Sequence, residues 1–244
     1  MIRYERFTKR YGAIEAVSGL DLEVREGETL ALIGPNGSGK TTTLKAAVGL
    51  VRPTAGRVTI AGRDARCADA RARETIGYLP QRLSFPPRST GREVLAFFAR
   101  LRDAAPGEIE RRIEQVGLGS AADRPVEGYS GGMRQRLGVA AALLGRPRAL
   151  ILDEPTAALD PTAALALRDL IRDVRAEGTT VLLSSHDLAE VAALADRIAI
   201  FVRGHLAALG TAGHLAALLG LHDGRAGIES IYRIVTEDRH AFAP

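Results

Sequence analysis

Short apolar runs closed by glycine or polar turns alternate along this chain with stretches whose apolar positions recur every three or four residues. Residues 20–24 alternate apolar and acidic side chains, as a strand with one buried face does. Thr29–Ile33 is apolar throughout after its first residue and predicts a strand buried on both faces, leading into a glycine-rich turn. Helical spacing follows over 41–50. Strands are predicted at 58–61, Ile76–Leu79, 150–152, Thr180–Ser184 and 198–202, and helices at 92–101, 107–116, 131–144, 162–176 and 188–195. Strands that alternate with helices predict an α/β fold with a mainly parallel sheet covered on both faces. Between about 82 and 129 helices interrupt that alternation, which predicts an inserted helical subdomain.

Composition narrows the class. The chain has 244 residues, 46% hydrophobic and 25% charged, enough to bury a core and unlike a disordered or fibrous sequence. Its lone cysteine, Cys67, can form neither an intramolecular disulfide nor a cysteine-rich metal site, so a reduced compartment is expected. The net charge is +4, but all except three of the 33 basic residues are arginines scattered among acids, so no nucleic-acid surface is expected. Met1-Ile2-Arg3-Tyr4-Glu5-Arg6 carries acid and base where a secretory leader needs an apolar core, so none is expected. The longest charge-free apolar stretch, 206–221, contains Gly210, Gly213, His214 and Gly220 and is shorter than the ~20 residues a bilayer crossing takes.

Chemistry concentrates at strand ends. Gly34-Pro35-Asn36-Gly37-Ser38-Gly39-Lys40-Thr41 matches G-x-x-x-x-G-K-[ST] between a predicted buried strand and a helix. In that context glycines let backbone N–H groups face phosphates, and the helix N-terminus adds its positive dipole end. Lys40 would reach the β- and γ-phosphates, and the Thr41 hydroxyl would ligate Mg²⁺. Leu150-Ile151-Leu152-Asp153-Glu154 is a second buried strand, ending in two acids where a parallel sheet opens its ligand crevice. Asp153 could support the Mg²⁺ shell and Glu154 could polarise an attacking water. Together the two motifs imply nucleotide hydrolysis.

Just before that acidic strand stands Tyr129-Ser130-Gly131-Gly132-Met133-Arg134-Gln135. With it, residues 3–215 resemble the ATP-binding subunit of ABC transporters, whose signature is usually written L-S-G-G-Q; Tyr129 replaces the leucine and Met133 the glutamine. The resemblance implies a P-loop NTPase core with a mainly parallel sheet, an antiparallel β subdomain and the inserted helical subdomain. It implies an ATPase domain over 1–220 and a tail helix over 221–244. It implies ATP and Mg²⁺ as ligands, with Tyr11 stacking on adenine and Gly34, Asn36, Gly37, Ser38, Gly39, Lys40, Thr41 and Thr42 holding phosphates. Gln81 looks like the glutamine that senses Mg²⁺ and the γ-phosphate. His186 looks like the switch histidine, Glu154 like the hydrolytic acid, and Ala158-Leu159-Asp160 like the loop that crosses a dimer interface.

In that family the signature of one copy completes the phosphate site of another, so Ser130, Gly131 and Gly132 would face the ATP of a second copy. The expected partners are therefore that copy and an integral membrane permease, at the cytoplasmic face of the inner membrane. Phe85, Phe97, Phe98 and Leu101 are candidates both for the groove that receives the permease and for the subdomain core. A soluble ABC-type ATPase acting on DNA or ribosomes is the alternative; those relatives usually carry a coiled-coil insertion or two fused modules. Gly77-Tyr78-Leu79-Pro80-Gln81, 91–101 and 129–137 are similar to the copper-processing ATPase of nitrous oxide reductase maturation and related exporter ATPases. The transported substrate is not written in these residues.

Overall fold

The structure, a computed structural model, describes residues 1–65, 74–157, 159–221 and 227–237. Cys67, Ala158, His222 and His240 lie outside the described residues.

Two sheets wall the core. One is antiparallel, built from β1 (Ile2–Tyr11), β2 (Ile14–Val24), β4 (Ala55–Ile60) and β5 (Arg63–Asp64) in the order β2-β1-β4-β5. Period-two alternation builds it: Leu20, Leu22 and Val24 are buried while Asp21 and Glu23 face solvent. β1 breaks the period. Ile2 and Tyr4 are buried, but Arg6 adopts φ 46° and the pairing shifts register, so Phe7 is the next residue inside. This ten-residue strand was not expected from the sequence, and β2 begins six residues before the predicted 20–24.

The second sheet comprises β3 (Thr29–Ile33), β6 (Ile76–Leu79), β7 (Ala149–Asp153), β8 (Thr180–Ser184), β9 (Arg197–Val202) and β10 (His205–Gly210). Its order is β10-β9-β3-β8-β7-β6, parallel except for the β9–β10 hairpin. Every residue of β3, β7 and β8 is buried. Their side chains divide between two clusters by alternation: Ala31, Ile33, Leu150, Leu152, Val181 and Leu183 face one, and Leu30, Leu32, Ile151 and Leu182 the other. That two-sided cover is why these strands are written as apolar runs.

Helix α1 (Lys40–Ala47) packs under the antiparallel sheet, where Tyr4 donates its hydroxyl to the Thr43 carbonyl at 3.0 Å. It ends three residues short of the predicted 41–50, because Gly49 takes φ 75° and turns the chain. Between β6 and β7 lie α2 (Gly91–Leu101), α3 (Glu108–Gln115) and α4 (Gly131–Leu143). Thr90 and Glu93 form a capping box that fixes where α2 starts. α4 crosses β6 in backbone contact: a Cβ on Gly77 would lie 2.2 Å from the Ala142 carbonyl. The chain continues through α5 (Pro161–Ala176), α6 (Leu188–Leu194), α7 (Ala212–Leu218) and α8 (Ile228–Glu237). The apolar stretch 206–221 is thus split between β10 and α7. Among the described residues no helix is long and apolar enough to cross a membrane.

Candidate active site

β3 delivers the chain into the glycine-rich loop and α1 carries it away, so strand ends and a helix N-terminus face one space. Glycine is required at two places by close approach. A Cβ on Gly34 would sit 2.2 Å from the Phe201 carbonyl, and one on Gly39, at φ 105°, 2.5 Å from the Ala16 carbonyl. The loop therefore lies flat against β9 and β2. Lys40 reaches back over it: its Nζ donates to the Gly34 carbonyl at 2.7 Å and to the Pro35 carbonyl at 3.1 Å. Burial pushes the Lys40 pKa below the usual lysine range, opposed by the charges of Glu154 and Asp153.

β7 brings Asp153 and Glu154 to the same opening. Asp153 is 1% exposed. Its Oδ1 accepts the Thr41 hydroxyl at 3.1 Å and the Ser184 hydroxyl at 2.7 Å, while Oδ2 is buried with no hydrogen-bond partner. A fully buried carboxylate oxygen left unsatisfied costs about 1–3 kcal/mol. Beside a threonine hydroxyl it makes an all-oxygen donor set suited to a hard divalent cation such as Mg²⁺. The same carboxylate, together with burial, pushes the Tyr78 hydroxyl pKa up to about 12.

Glu154 is held in a strained backbone. It takes φ 51°, a left-handed conformation that costs a non-glycine residue about 1–2 kcal/mol. Its N–H is pinned by the Ser184 carbonyl and hydroxyl, both at 3.1 Å. The strain turns its side chain toward the opening. There Oε2 accepts Gln81 Nε2 at 3.0 Å and lies 3.4 Å from His186 Nδ1.

A cleft of about 630 Å³ gathers Tyr11, Asn36, Gly37, Ser38, Gly39, Lys40, Thr41, Thr42, Gln81, Glu154 and His186, and adds Ala16, which the sequence did not single out. Gly34 and Asp153 are tied to its lining through Lys40 and Thr41. Tyr11 is 48% exposed at the rim, with Lys9 Nζ 4.8 Å from its ring centroid. Ser130, Gly131 and Gly132 do not line the cleft. They open α4, where the exposed Ser130 caps the helix by accepting the Met133 N–H at 3.2 Å.

The two departures from the usual signature have local explanations. Tyr129 is 3% exposed and donates its hydroxyl to the Ala121 carbonyl at 2.6 Å. Gly91 makes room for it, since a Cβ there would meet that hydroxyl at 2.3 Å. Met133 packs, partly buried, on the core. Sequence reasoning also missed Ser184, whose hydroxyl links Asp153 to Glu154. Its signal was a serine at the end of a buried strand directly before Ser185-His186.

The ABC transporter family model matches residues 17–157. Linearmycin resistance ATP-binding protein LnrL of Bacillus subtilis (strain 168) is 36% identical over 224 residues, covering 90% of this chain and 72% of that protein. Daunorubicin/doxorubicin resistance ATP-binding protein DrrA of Streptomyces peucetius is 39% identical over 233 residues, covering 91% and 71%. Among solved structures, an ATP-binding subunit of an ABC transporter superposes with a TM-score of 0.89 at 28% identity, covering 96% of this chain and 99% of that one. The dimeric ABC transporter cassette MJ0796 superposes with a TM-score of 0.79 at 28% identity, covering 86% and 98%. The chain belongs to the ABC transporter ATP-binding family. It is an ATPase, and its ligands are ATP and Mg²⁺.

Proposed function

We propose that this chain is the energy-converting subunit of a membrane exporter, working as two copies that enclose two Mg-ATP. Each nucleotide would lie between the Lys40 loop of one copy and Ser130-Gly131-Gly132 of the other. The observation that carries this reading is the isolation of the signature. Ser130 stands exposed at the N-terminus of a 13-residue helix, an anion-accepting position, yet outside the cleft of its own chain. The cassette MJ0796 is described as dimeric, and one of its structures as a post-hydrolysis state bound to ADP and Pi.

Within the cleft the residues divide the work. Thr41 and Asp153 would hold Mg²⁺, which supplies charge neutralisation on the phosphates. Lys40 can exchange the carbonyls of Gly34 and Pro35 for β- and γ-phosphate oxygens. Glu154 is the acceptor for the attacking water: Gln81 and His186 both address its Oε2, leaving Oε1 without a protein donor among the described residues. Gln81 and His186 read the γ-phosphate, and Tyr11 stacks on adenine at the rim.

The ATPase domain spans 1–220, with its helical part over about 82–129, and the tail is 221–244. The permease would sit on the helical part at the cytoplasmic face of the inner membrane. Phe97 and Leu101, 52% and 66% exposed, are the apolar residues available to it, whereas Phe85 and Phe98 pack on the core. The relatives named for linearmycin and daunorubicin resistance favour an organic, antibiotic-like cargo. A copper or sulfur species for nitrous oxide reductase maturation is supported only by the similarity of 77–81, 91–101 and 129–137.

The test is Glu154→Gln, which keeps shape but loses the acceptor for water. With Mg-ATP its mass by light scattering should double, and the chain should co-purify with a membrane permease. A variant that binds ATP yet stays monomeric, alone and with the permease, overturns the sandwich. Co-purification with DNA or ribosomes and no membrane protein overturns the transport role.

A further inference from the structure

One buried acid holds the loop that carries His186. Glu190, on the first turn of α6, has no exposed surface. Its Oε2 accepts a 2.5 Å hydrogen bond from the hydroxyl of Ser185, the residue before His186. That hydroxyl in turn accepts the Asp187 N–H at 3.0 Å, so the backbone on both sides of His186 is pinned while the His186 side chain stays exposed.

Arg168 on α5 is the nearest cation, but it is not spent on this acid. Its Nη2 donates to Asp187 Oδ2 at 2.7 Å, and its Nε is buried without an acceptor, as Glu190 Oε1 is buried without a donor. An acid placed for ion pairing would not leave both atoms orphaned, since breaking a buried charge pair costs about 3–5 kcal/mol.

We propose that Glu190 is a positioning residue for ATP hydrolysis, which holds the His186 loop through Ser185 so that His186 meets Glu154 at 3.4 Å. The proposal rests on the roles given above to Glu154 and His186. Burial raises the Glu190 pKa above the ordinary carboxylate range and Asp187 adds to the rise, against Ser185, Thr156 and the Arg168 charge. The Ser185 contact needs only an acceptor oxygen at this position, which an amide also supplies.

Steady-state hydrolysis and binding of a fluorescent ATP analogue by Glu190→Ala, Glu190→Gln and Ser185→Ala decide the matter, with folding followed by circular dichroism. Displacing a catalytic pair by even 1 Å costs up to ~100-fold, so Glu190→Ala and Ser185→Ala should lower kcat about tenfold or more. Nucleotide affinity should stay within about twofold, because the phosphate loop is untouched. Glu190→Gln should recover at least about a third of the wild-type kcat, because its amide oxygen can still accept the Ser185 hydroxyl. If Glu190→Ala does not fold, Ser185→Ala carries the test. Folded Ser185→Ala or Glu190→Ala with wild-type kcat overturns the proposal, as does an equal loss in Glu190→Gln and Glu190→Ala. A wild-type chain without ATPase activity would instead sink the assignment of the site, and this clamp with it.

Discussion

The phosphate-loop cleft and the signature differ in how complete they are within one chain. Around Lys40 the polar groups are joined across elements: β7 supplies Asp153, α1 supplies Thr41, β8 supplies Ser184, and the three lock at 3.1 and 2.7 Å, with Asp153 Oδ2 left without a partner. One residue of the cleft is strained as well, Glu154 in its left-handed backbone. At the signature, Ser130 satisfies one N–H of its own helix and is otherwise exposed, with Gly131 and Gly132 half-buried beside it. Its supporting residues are as firmly built as those of the cleft, since Tyr129 is bonded to Ala121 and Gln135 Nε2 donates to the Pro155 carbonyl at 2.7 Å. A rigid platform that presents an unused helix start is what a surface completed by another molecule should look like. The cleft is organised by its own chain and the signature is not.

Breaking the cleft should have the largest effect. Lys40→Ala removes the cation that reaches back over the loop, and hydrolysis should fall by at least about 100- to 1,000-fold, the usual cost of losing a charge-stabilising donor. A phosphate-release assay on the purified variant checks it. Disturbing the platform behind the signature should be milder. Tyr129→Phe removes one of the two hydrogen bonds to the Ala121 carbonyl, which keeps the Arg124 N–H, and should cost about 1 kcal/mol in a urea titration, with nucleotide affinity unchanged because Tyr129 is outside the cleft.

The smallest effect concerns the clamp beneath the cleft. Because the folded-state pKa of Glu190 lies above the ordinary 4.5, the folded chain keeps a proton that the unfolded chain releases. Its stabilising contribution is complete below about pH 4.5 and is lost as pH rises through the raised value. Arg168 lowers that value and Asp187 raises it. Glu190→Gln should therefore gain on the wild type, in urea midpoint, as pH is raised from about 4.5 toward neutrality.

Much of the fold was written locally. Thr29–Ile33, Ile76–Leu79 and Thr180–Ser184 have the bounds their apolar runs predicted, because a strand covered on both faces leaves no polar interruption. β1 was hidden by its own bulge: Arg3, Glu5, Arg6, Lys9 and Arg10 crowd the strand, and the register shift before Phe7 destroys the period that would have shown it. β10 was hidden by running into the apolar face of α7. In the site, residues within one motif could be found by spacing. The links between motifs could not: Thr41 meets Asp153 across 112 residues, and Ser184 meets Asp153 across 31. Only the sheet order, which places β3, β8 and β7 side by side, brings them together.

The central claim is that the signature serves a cleft other than its own, and mixing two inactive variants tests it most directly. Lys40→Ala lacks a working phosphate loop, and Gly131→Asp places a negative charge where the signature would meet the γ-phosphate. A mixed pair joins the intact Lys40 loop of one chain to the intact Ser130-Gly131-Gly132 of the other, so one cleft is whole. Assayed separately, each variant should sit at background; mixed in equal amounts, they should recover ATP hydrolysis toward about a quarter of the wild-type rate, the share of intact sites on random pairing. A mixture no more active than the mean of its two components would contradict the account.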